Sequence, residues 1–164
     1  SMSAFIVQAS VSNRPSFLVI GDLSFFYDMN ALWNQYVGNN IRILVCNNSG
    51  GAIFHSYPNT KNVPTLDEHI AAAHKTSVRA WVLSRGFEYL AAKNKKEFDE
   101  ALPRLMSSSS DRPILMEVFT NKDVDANCID TILNPYKVEE ISLKHQIGKI
   151  VPTGMKETIK KIIR

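Results

Sequence analysis

Hydrophobic positions along this chain gather into short unbroken runs set between stretches of mixed polarity. Ser16–Gly21 (SFLVIG) and Ile41–Cys46 (IRILVC) show no polar alternation, the pattern of parallel strands covered on both faces. Between them, Ser24–Val37 has the length of a crossover helix. Its apolar stripe is Phe25, Met29, Leu32, Trp33 and Tyr36, with Ser24 suited to the N-cap and Gly38-Asn39-Asn40 to the stop. Ala4–Ser10 reads as the end of an apolar helix. Further on, Leu66–His74 predicts a helix capped by Thr65, and Ala80–Ser84 a short one. Glu88–Ala91 predicts a short strand. Lys95–Met106 predicts an amphipathic helix with Phe98, Leu102 and Leu105 inward and Pro103 near its end. Pro113–Thr120 (PILMEVFT) is again a buried strand. Four strands alternating with helices define an α/β fold: a doubly wound, mainly parallel sheet with helices on both faces.

A right-handed crossover brings the carboxyl ends of the first two strands together, where open α/β sheets bind ligands. Gly21-Asp22 ends the first run and Asn47-Asn48-Ser49-Gly50-Gly51 follows the second. A carboxylate, an amide oxygen and a glycine carbonyl form an all-oxygen set suited to a hard cation such as Mg²⁺. Taken singly, Asp22 could be only an N-cap, and Gly50-Gly51 only a turn. Asn47 reads as structural, bonding backbone inside the loop. The irregular segment His55–Thr65, beside this crevice, has the length and polarity of a lid.

Composition narrows the class. The chain has 164 residues, 45% hydrophobic and 21% charged, enough for a real core. A net charge of +3, with its basic excess late in Lys144–Arg164 and no aromatic interleaving, gives no reason to expect nucleic acid. No apolar run approaches the ~20 residues of a membrane span, and a cytoplasmic setting fits Cys46 in a buried strand far from Cys128. His55, His69 and His74 match no zinc spacing. His69 and His74 read as helix-surface residues, whereas His55, directly after the glycine loop, is a candidate for substrate contact. Trp33 and Trp81 read as core or subunit contacts, and Glu117, inside the last strand, as partly buried.

Gly21–Leu32 (GDLSFFYDMNAL) and Asn47–Phe54 (NNSGGAIF) together resemble the motif of the thiamine-diphosphate-dependent enzymes. Their wording is similar to the menaquinone-pathway synthase branch, and the resemblance runs over roughly 3–127. It implies the thiamine-diphosphate-binding fold. The cofactors it implies are thiamine diphosphate and Mg²⁺, the metal held by Asp22, Asn48 and the Gly50 carbonyl. Leu23 and Ser24 are expected at the phosphates, Gly51, Ala52 and Ile53 along the cofactor, and Phe54 and His55 on the substrate side.

The implied activity is decarboxylation of a 2-oxo acid and transfer to an acceptor, here 2-oxoglutarate and isochorismate. No catalytic residue is expected in this chain. The activating glutamate belongs to a pyrimidine-binding domain of a longer enzyme, a homo-oligomer of which this chain is a piece. The expected division is a cofactor domain over 2–127 and a partly helical extension over 128–164, with a basic amphipathic helix at Met155–Arg164. Within it, Asn134–Arg164 does not resemble the usual end of the branch. A different decarboxylase or carboligase of the same superfamily, in surface-polysaccharide or phosphonate metabolism, and a non-catalytic domain retaining the fold stay open as alternatives.

Overall fold

A computed structural model describes residues 1–57 and 59–133. The expected helix at Met155–Arg164 therefore lies outside the described residues. The sheet and its cores belong to one compact unit, Ser1–Asp130. Its elements are α1 (Met2–Ser10), β1 (Ser16–Gly21), α2 (Asp22–Asp28), a 3₁₀ turn (Met29–Leu32) and β2 (Ile41–Asn47). Next come α3 (Ile53–Ser56), a π turn (Leu66–Ile70), α4 (Arg79–Ser84), β3 (Glu88–Ala92), α5 (Lys95–Leu105), β4 (Ile114–Phe119) and α6 (Lys122–Leu133). All pairings are parallel, as the uninterrupted apolar runs predict, and the strand order is β1-β2-β4-β3.

Successive side chains of a strand face opposite sides, so β2 and β4 feed two cores. On one face Ile41, Ile43, Val45 and Leu115 pack with Met2 and Ile6 of α1, Phe25 of α2, Leu32, Val82 and Phe87. On the other, Ile114 and Met116 meet Ala92 and Leu105, with Leu44, Phe98 and Leu102 around them. Phe25 is fully buried, and truncating it to Ala should cost about 3–5 kcal/mol.

β1 departs from the expectation of burial on both faces: Phe17 and Val19 are 46% and 70% exposed. β1 is a sheet edge, and α5 packs mainly on β3 and β4, so Phe17 and Val19 stay exposed among the described residues. Arg42 is the reverse case, a guanidinium buried in β2. Its Nη1 donates to the carbonyls of Asn39 and Ile41, and its Nη2 to that of Ser107. Burial, and then the neighbouring Arg104, pull its pKa below the ordinary value.

The crossover is also shorter than Ser24–Val37. Helix α2 begins at Asp22, with extended Gly21 in the N-cap position rather than Ser24, and ends at Asp28. Asp28 is drawn to α1, accepting from Ser3 N–H and Oγ, and these bonds hold its carboxyl below the usual range. Asn30, Asn34 and the Gly38-Asn39-Asn40 run then favour turns over helix. Trp33 and Tyr36 are consequently 65% and 63% exposed, so of the two readings of Trp33, core or subunit contact, the core one does not hold. Trp81 does pack on the core, donating its indole N–H to the Met29 carbonyl.

Candidate functional site at the ends of two strands

Gly21 and Cys46 are register partners, so Asp22 and Asn47-Asn48 leave the sheet side by side. Asp22, 3% exposed, accepts at Oδ1 from Leu23 N–H (2.7 Å) and at Oδ2 from Gly50 N–H (3.1 Å). The two strand ends are thus joined directly. His74 Nε2 lies 3.1 Å from the same Oδ2. Its Nδ1 accepts from Thr76 N–H, which makes Nε2 the protonated nitrogen and the donor to Asp22. The Phe26 ring stands edge-on to the imidazole at 5.2 Å.

His74 is thus a site residue and not the helix-surface residue expected. The segment forms only the π turn Leu66–Ile70, because Ala72 turns into the left-handed region at φ 47 and sends the chain back toward Asp22. Thr65 makes no side-chain cap there. A left-handed alanine has no sequence signature, so nothing in the pattern marks this reversal.

The loop after β2 is braced by the same segment. Gly51 N–H donates to the Ala71 carbonyl (2.7 Å) and His74 N–H to that of Ser49 (3.0 Å). Ser49 and Gly50 have φ of 68 and 151. A Cβ on Gly50 would stand 2.8 Å from the Ala71 carbonyl oxygen, so close backbone approach demands glycine here. Asn47 is structural, as expected: Oδ1 accepts from Ser49 N–H, and Nδ2 donates to the Thr76 carbonyl and Glu117.

Asn48 differs. Its Nδ2 donates to Asp125 Oδ2 at 3.0 Å, while its Oδ1 is buried without a hydrogen-bond partner. A buried acceptor left unmet costs about 1–3 kcal/mol, unless a ligand satisfies it. With Asp22 and the Gly50 carbonyl, which accepts only from Ala52 N–H, it makes an all-oxygen donor set carrying one negative charge. Such a set suits a hard cation that brings further oxygen ligands with it. Among the described residues, no three His, Cys, Asp or Glu side chains gather as an alternative metal cluster. Burial, then the Asp125 and Asp22 carboxylates, push the free Cys46 thiol up, so both acids flank this end of β2.

Of the other anticipated site residues, Ser24 is exposed near the start of α2, Ala52 is buried, and Ile53 is half exposed on α3 beside half-buried Phe54. Leu23 N–H is engaged by Asp22. His55 Nε2 lies 2.9 Å from Asp67 Oδ1, and Nδ1 lies 3.6 Å from Asp123 Oδ1. Lys122 also bonds Asp67 and, with His55, holds that carboxyl below its ordinary range.

Glu117 is the residue that sequence reasoning undervalued. It is fully buried and accepts from Asn47 Nδ2 (2.7 Å), Ser77 Oγ (2.5 Å), Val78 N–H (3.1 Å) and Tyr89 Oη (2.7 Å). Burial, then this bond to Glu117, raises Tyr89 to about 12.

The sheet and its strand-end loops define an α/β domain of the doubly wound class. By sequence the domain is homologous to a segment of the 2-succinyl-5-enolpyruvyl-6-hydroxy-3-cyclohexene-1-carboxylate synthases. It is 46% identical over 134 residues to the synthase of Bacteroides fragilis, covering 79% of this chain and 23% of the relative. The Bacteroides thetaiotaomicron synthase is 45% identical over 130 residues (79% and 23%), and that of Phocaeicola vulgatus 44% over 137 (83% and 24%). The chain therefore spans about a quarter of the length of the relatives it matches. No model of a known protein family matches it. Among the described residues, no helix is long and apolar enough to cross a membrane.

Proposed function

We propose that this chain is the diphosphate-anchoring domain of a thiamine-diphosphate- and Mg²⁺-dependent 2-oxo acid decarboxylase and carboligase. On this reading the whole protein is the menaquinone-pathway synthase, joining decarboxylated 2-oxoglutarate to isochorismate. The observation that carries the anchoring role is the buried, unbonded Asn48 Oδ1 beside a loop tied through Gly50 to Asp22. Homology to proteins bearing that synthase name supports the substrate assignment.

Asp22 and Asn48 would give side-chain oxygens, and Gly50 its carbonyl, to Mg²⁺. Ser24 would offer its exposed hydroxyl to the phosphates, while Leu23 N–H and His74 keep the Asp22 carboxylate oriented. Gly51, Ala52 and Ile53 would line the cofactor, with Phe54 and His55 toward the substrate. Bound thiamine diphosphate supplies an electron sink for loss of CO₂ from a 2-oxo acid. The chain's own residues anchor and orient. Its partners on this reading are a pyrimidine-binding domain that brings the activating glutamate, and further subunits of a cytoplasmic homo-oligomer.

The test is calorimetric titration of the full-length protein with thiamine diphosphate and Mg²⁺. Asp22→Ala should weaken cofactor binding by on the order of 100-fold. Unchanged affinity in that variant overturns the metal assignment.

A further inference from the structure

The two ends of a carboxamide have almost the same shape, so the partner of one end decides what the other presents. Asn48 Nδ2 donates to Asp125 Oδ2 at 3.0 Å, and a carboxylate can only accept. Asp125 is itself held: Thr120 Oγ1 donates to the same oxygen at 2.7 Å, and Asp125 N–H bonds the Asn121 carbonyl in the first turn of α6. Turning the amide over would set Asn48 Oδ1 against the Asp125 carboxylate, acceptor against acceptor. It would also offer an NH₂ where a cation needs an oxygen.

We propose that Asp125 is a positioning residue that fixes the Asn48 amide so that its oxygen, and not its nitrogen, is offered to the divalent cation. The inference rests on the cation-site reading above and adds a residue to it. Asp125 need not touch the cation. It acts through Asn48.

The experiment measures Mn²⁺ affinity by electron paramagnetic resonance in the full-length protein with thiamine diphosphate present, together with the metal-free melting temperature. Asp125→Ala should weaken Mn²⁺ on the order of 10–100-fold, the range typical when an outer partner of a ligand is lost. Asp125→Asn, whose amide oxygen can still accept from Asn48, should retain most of the affinity. In an Asn48→Ala background, Asp125→Ala should add almost nothing, because the group it orients is gone. Should Asp125→Ala fail to fold, Thr120→Val, which unpins the carboxylate, should give a smaller loss in the same direction. Unchanged Mn²⁺ affinity in Asp125→Ala, or in Thr120→Val where it stands in, overturns the proposal. So does a loss that adds fully to that of Asn48→Ala. Unchanged affinity in Asp22→Ala would instead overturn the cation site itself.

Discussion

Asn47 and Asn48 carry the same side chain one position apart, yet they belong to two different regions. Asn47 enters an interior knot in which Glu117 accepts four hydrogen bonds from β2, β3 and the segment before α4. Asn48 opens the strand-end site, where one amide oxygen is buried with nothing to bond. The knot is saturated and the site is not. Saturation marks a group that holds the fold, whereas an unmet oxygen, kept despite its cost, marks a group that waits for a ligand.

That contrast breaks most easily at the knot. Glu117→Ala strands several donors at once in a buried setting and should cost about 3–5 kcal/mol, read as a lower denaturation midpoint with unchanged slope. Tyr89→Phe removes one bond to a buried carboxylate and should cost about 1.5–3 kcal/mol. It also has a pH signature. Because the folded pKa is raised to about 12, from about 10 unfolded, the contribution is complete below about pH 10 and is lost as pH climbs through about 12. Phenolate absorbance during alkaline titration reads this loss, and the Phe variant should lack it.

At the site the order inverts. Asn48→Ala should change metal-free stability by less than about 1 kcal/mol, since it removes an unmet acceptor along with a bond to Asp125. Its effect should appear in cation affinity. A large stability loss in Asn48→Ala, or a negligible one in Glu117→Ala, would erase the contrast. The smallest effect is expected away from both regions. The Arg104 guanidinium bonds Glu88 and holds its carboxyl below the ordinary range, stabilising above about pH 4.5 and fading as pH falls through the lowered value. For a pair this open to solvent screening, Arg104→Gln should lower the denaturant midpoint only slightly at neutral pH.

The sheet was legible because buried parallel strands announce themselves as unbroken apolar runs. β1 begins and ends where its run does, and β2 extends its run by Asn47 alone. Edge exposure was not legible, since an apolar run does not say which neighbours are present, and Phe17 and Val19 stayed in view. The positions of Asp22 and Asn48 followed from topology alone. His74 and Glu117 did not, because their roles depend on contacts across 52 and 70 residues of chain. For His74, a left-handed alanine also replaced the last turns of an expected helix.

The strand order has a consequence in time. β4 lies between β2 and β3, yet it is made last, and the Asn47–Glu117 bond closes a loop of 70 residues. Closing so distant a contact precedes any reward from it, which makes parallel topologies of this kind slow to form. Ser49 is held through Asn47, and Asn47 through Glu117 and Thr120 N–H. The loop that is to grip a ligand should thus be among the late parts of the domain to firm up. Pulse-labelled amide exchange during refolding should show Gly50 and Gly51 gaining protection no earlier than Thr120. A growing chain would leave this loop unbraced until β4 had docked.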